Sequence, residues 1–127
     1  MLSLAELIQA SDPKVLEKGH RVDIFSLRKG TSRSTKLPKA LANTRSPDTP
    51  QGMWYTTAID YDGPRAMKLS CSCPHFVFYL EKPLHEAESA DLMYSRQLSP
   101  DNYKGKKVGM CAHVYGLILK LQEDGNL

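Results

Sequence analysis

Cysteine is scarce in this sequence, three in 127 residues. An odd, small set makes a poor disulfide framework, since one thiol is always left over, and free thiols suit a reducing compartment. No apolar run approaches the ~20 residues a membrane span needs. The opening Met1-Leu2-Ser3-Leu4-Ala5-Glu6 lacks a basic segment and carries an early acid, so a secretory signal is not expected. A net charge of +3 is too small to mark a nucleic-acid binder by itself. No phosphate-binding glycine loop, nucleophile elbow or convincing carboxylate pair is visible. His85-Glu86 does not begin an H-E-x-x-H motif, because position 89 is serine, and the deaminase pattern of H-x-E with P-C-x-x-C is missing. An enzyme with a small-molecule substrate is the class these absences disfavour most.

What is present is more pointed. All three cysteines fall into two spaced pairs, Cys71-Ser72-Cys73 and Cys111-Ala112-His113. Three thiols and one imidazole complete a tetrahedral shell for one structural Zn²⁺, with no position left for chemistry. Residues two apart on a strand point to one face, so Cys71 and Cys73 can reach the same ion. Cys111 and His113 precede an apolar run and sit where a turn enters a helix. The plain alternative is three buried cysteines and a surface histidine, since free cysteine is commonly buried. His75, two residues beyond Cys73, is a competing fourth ligand.

This pattern resembles the SWIM-type zinc finger, C-x-C, an insert, then C-x-H, over residues 54 to 121. Cys73-Pro74-His75-Phe76 and the apolar helix after His113 are also similar to that family. Ala112 stands where lysine is common, and the insert from Pro74 to Met110 is long. The aromatic stretch after C-x-C, with Gly109-Met110-Cys111-Ala112-His113 closing the insert, is closest to small SWIM-like proteins of tailed bacteriophages. The resemblance implies a zinc-stapled module that binds partners, located in a virion or in the cytoplasm of an infected host.

Local signals predict an α+β protein. Ser3-x-x-Glu6 is a capping box opening a short helix, and Asp12-Pro13 caps a second that stops at Gly19. Residues 21–28 read as a strand. Residues 29–52, rich in Ser, Thr, Pro and Lys/Arg and without periodicity, read as a long irregular arm. Two strands around the turn Tyr61-Asp62-Gly63-Pro64 form a hairpin. A helix starts at Pro74 and is broken by Pro83, and a further short helix spans 85–93. Val114, Leu117, Ile118 and Leu121 form the packing stripe of a last helix, from about 110 to 123. The expected architecture is a ββα zinc core in residues 53–127, with residues 1–52 as N-terminal extension and basic arm, the two forming one compact unit.

Two basic segments are candidate contacts for a partner or for nucleic acid: Arg33, Lys36, Lys39 and Arg45 in the arm, and Lys104, Lys106 and Lys107 just before Cys111. The first expectation is a non-enzymatic structural or adaptor protein in a larger protein assembly, with the arm as a strap. The alternative is a nucleic-acid-binding module working through phosphate contacts.

Overall fold

Ser3 and Glu6 exchange hydrogen bonds at 3.1 Å each, Glu6 N–H to Ser3 Oγ and Ser3 N–H to Glu6 Oε1, and this capping box opens α1, Leu4–Ala10. Asp12 caps α2, Pro13–Gly19, through Lys14 N–H. The computed structural model describes residues 1–95 and 105–127. Four antiparallel strands follow in sheet order β1-β2-β3-β4: Asp23–Thr31, Pro38–Arg45, Tyr55–Asp62 and Ala66–Cys71. The fold is therefore mixed α+β.

Residues 29–52 are not an irregular arm. They hold the end of β1 and all of β2, an inner strand paired on both sides. Alternation was hard to read there because the inward positions are Ala40, Ala42 and Thr44, all buried but none large. Small inward side chains let the last helix lie close to the sheet. The pairing of β2 with β3 also carries one sheet across position 52.

The inner sheet face meets α4, Ala112–Glu123, whose Val114, Leu117, Ile118 and Leu121 are completely buried. Burying each such side chain contributes roughly 1.5–3 kcal/mol. Helix α4 packs closely on α2 and on the segment before β1: a Cβ at Gly19 would lie 2.6 Å from Tyr115 Cδ2, and one at Gly116 would lie 2.5 Å from Val22 Cβ. On the other edge, β4 is closed: Met67 N–H donates to Leu2 O and Leu69 N–H to Ser89 O.

Pro83 does not break the helix after β4. A π-helical turn, Phe76–Leu80, runs directly into α3, Glu81–Glu86. In that wider register Glu81 N–H reaches Phe76 O, five residues back. Pro83 lacks the N–H that would reach Phe78 O, and Gly105 N–H donates to it instead, at 3.3 Å. The expected helix over 85–93 is likewise replaced, since α3 ends at Glu86 and residues 90–95 are irregular. Glu81, fully buried, holds that stretch: Oε1 accepts from Tyr94 N–H, Ser95 N–H and Ser95 Oγ at 2.8–3.0 Å. Burying a carboxylate is costly without such donors.

Candidate metal centre

Three pieces of chain converge at one end of the sheet. Cys71 is the last residue of β4, Cys73 lies in the bend after it, and Cys111 and His113 bracket the start of α4, with Cys111 as its N-cap. All four are buried, and their ligand atoms lie within 4.8 Å of one another. Bonds of ~2.3 Å to sulfur in a tetrahedron set ligand spacings of roughly 3.8 Å. Closing onto an ion thus needs shifts of about 1 Å or less. The group is a buried Cys₃His set that can hold a metal ion.

The surroundings are arranged for it. His113 Nε2 lies 3.3 Å from Thr49 Oγ1, whereas Nδ1 is buried with no hydrogen-bond partner. With Nε2–H donated to Thr49, the lone pair falls on Nδ1, the atom available to a metal. Thr49 is itself fixed by Ser46 N–H, at 2.9 Å, in the turn that follows β2. Tyr55 packs edge-on against the His113 ring, 5.0 Å between centroids. Two groups address the sulfurs: Phe76 N–H donates to Cys73 Sγ, and Thr57 Oγ1 lies 3.4 Å from Cys71 Sγ. Thr57 also meets Thr44 Oγ1 at 2.9 Å, so hydroxyls link β2, β3 and the β4 thiol.

Electrostatics separates the thiols. Burial pushes Cys71 up, but hydrogen bonds from Cys111, Cys73 and Thr57 outweigh it and hold the thiol well below its ordinary range. At Cys73 the hydrogen bond with Cys111 lowers the value, yet the bond to Cys71, burial and the Cys71 charge together push it up to about 12. Cys111 is driven well above the usual range, first by burial and then by the neighbouring sulfurs. The three thiols are thus coupled, with charge favoured at Cys71 and opposed at Cys73 and Cys111. The positive N-terminal end of α4 favours that charge.

His75 is not in the cluster, and its ring instead packs against Tyr79 with centroids 5.8 Å apart. The basic candidates are dispersed. Lys39 and Arg45 lie on β2, facing away from the core, and Arg33 and Lys36 lie in the β1–β2 loop. Lys106 and Lys107 are exposed beside a cavity of about 400 Å³ that Asp12, His75 and Tyr79 also line. Lys104 lies outside the described residues. Sequence reasoning missed Thr49, Thr57 and Thr44. The parity of β3 and β4 was the available signal, since Thr57 pairs with Cys71 and shares its face.

No family model, curated protein or solved structure matches the chain. Among the described residues no helix is long and apolar enough to cross a membrane.

Proposed function

We propose that the chain is a non-enzymatic, zinc-stabilised structural or adaptor protein that works by binding partners in a larger assembly. The observation carrying this reading is the buried Cys₃His set with its prearranged outer donors. Three thiolates and an imidazole favour zinc, and four protein ligands leave no position for a substrate. The pattern Cys71-Ser72-Cys73…Cys111-Ala112-His113 supports the narrower reading of a SWIM-type finger. Its likeness to small proteins of tailed bacteriophages supports a place in a virion. Elemental analysis of reduced native protein should find about one zinc per chain. Less than about half an equivalent of any metal, with the fold intact, would overturn the metal reading. Recovery in purified particles, rather than free in cells, tests the assembly.

A second reading, nucleic-acid binding, is favoured by one observation: Arg28, Arg33, Lys36 and Lys39 have no ion-pair partner among the described residues.

A further inference from the structure

The sheet has a second face, turned away from α4. The strand registers place Arg28, Leu41, Ala58 and Ser70 in one row across it, and Gly30, Lys39, Asp60 and Lys68 in the next. Phe25 and Asn43 pair in the row on the other side. Phe25 and Arg28 are three apart in sequence, which on a regular strand would put them on opposite faces. The register shift between them, with Ser26 at φ 53°, brings both to this face. A non-glycine residue in that region is costly and points toward use.

What the bulge displays is an exposed aromatic beside cations. Phe25 is 56% exposed. It meets Trp54 edge to face at 4.4 Å, and the Arg45 guanidinium lies 4.8 Å from the Trp54 centroid. Towards Lys39 a cavity of about 120 Å³ lies beside Leu41, Ala58 and Ser70, flanked by Asp91, Met93 and Tyr94. From Asn43 to Lys39 the strand covers about 13 Å at ~3.3 Å per residue, room for a few nucleotides. Acids on this side are largely engaged: Asp91 pairs with Lys68 at 2.8 Å, and Asp60 is buried and accepts from Thr35 Oγ1. Asp60 has no ion-pair partner among the described residues but is buried, so the unpaired charge that solvent reaches on this face is that of Arg28 and Lys39.

We infer that this face binds single-stranded nucleic acid, with a base stacked on Phe25 beside Trp54 and phosphates running past Arg28 and Lys39 towards Arg33 and Lys36. Aromatic side chains gain from bases that are already unstacked, which a duplex does not offer, and cations tracking a sheet suit a flexible polyanion. The inference rests on the second reading above and adds the face and the strandedness.

The test uses the full zinc-loaded chain and a ~20-nucleotide oligothymidine, longer than the footprint expected of a small domain, with a duplex of equal length beside it. Trp54 is the only tryptophan, so its quenching reports binding at this face directly. The expected result is quenching and tighter binding of the single strand than of the duplex. Phe25→Ala should weaken binding about tenfold. Arg28→Gln with Lys39→Gln should flatten the salt slope by about 0.7 for each phosphate no longer neutralised. These positions are solvent-facing, and circular dichroism checks that each variant is folded. If neither nucleic acid binds at ~0.1 M salt, both the inference and the second reading fall. If binding ignores Phe25→Ala but is abolished in Lys106→Gln with Lys107→Gln, the second reading stands and this face is wrong. If polyglutamate displaces the strand and Phe25→Ala has no effect, the face belongs to an acidic polypeptide and the inference is overturned.

Discussion

The two faces of the sheet are built from the same strands to different ends. On the inner face, β2 to β4 present Ala40, Ala42, Thr44, Ile59, Met67, Leu69 and Cys71, all nearly inaccessible. On the outer face the alternate positions carry Lys39, Arg45, Asp60 and Lys68 around small residues. The inner face ends in the Cys₃His set that can hold a metal ion, so its packing runs continuously into that set. The outer face carries cations and aromatics that the core does not need. Stability and partner binding should consequently respond to different substitutions, and the following measurements press on that division.

The largest effect should come from the ligands. Apparent zinc affinities in small zinc domains correspond to ~10–16 kcal/mol, and that energy is linked to folding. Cys111→Ser should leave a metal-poor protein with a loosened start of α4 and a thermal transition that no longer responds to a chelator. An unchanged transition in the variant, with wild type also indifferent to chelator, would separate the inner face from metal altogether.

Proton release should be nearly as large. With Cys73 and Cys111 raised and Cys71 lowered, the metal-free cluster holds two thiol protons at neutral pH that a metal must expel. Raised values mean protonation persists as pH climbs, so apparent affinity should rise about 100-fold per pH unit near neutrality. Calorimetry in buffers of different ionisation enthalpy counts the protons, and a count near zero would contradict protonated Cys73 and Cys111 thiols.

Gly116→Ala comes next. The added methyl meets Val22, and overpacking of this kind costs about 1–3 kcal/mol. Denaturant melts should show that loss with metal content unchanged. The smallest effect is expected on the outer face: Phe25→Ala should alter stability by no more than about 0.5 kcal/mol. A larger loss would mean that the Phe25–Trp54 packing supports the fold, and the division between faces would fail.

Much of this was legible from residue order alone. The convergent Cys/His pairs, the Ser3–Glu6 box, the hairpin closed by Asp62-Gly63-Pro64 and the stripe on α4 each express a local rule. What escaped depended on partners distant in sequence. Strand β2 is stabilised by neighbours on both sides rather than by large apolar side chains of its own. Pro83 survives inside a helix because a π turn shifts the register and Gly105, from another part of the chain, serves the carbonyl at Phe78. Thr49 was hidden because its partner, His113, stands far away in sequence.

The separation of the ligand pairs bears on how the molecule is made. Cys73 is synthesised about 40 residues before His113, which at ~5–20 residues per second is a delay of roughly 2–8 s. Through that interval the nascent chain carries two thiols without their partners and an apolar sheet surface with no α4 to cover it. Chaperone engagement and thiol oxidation would compete with folding most strongly then, and a slow codon run in the insert would prolong the exposure.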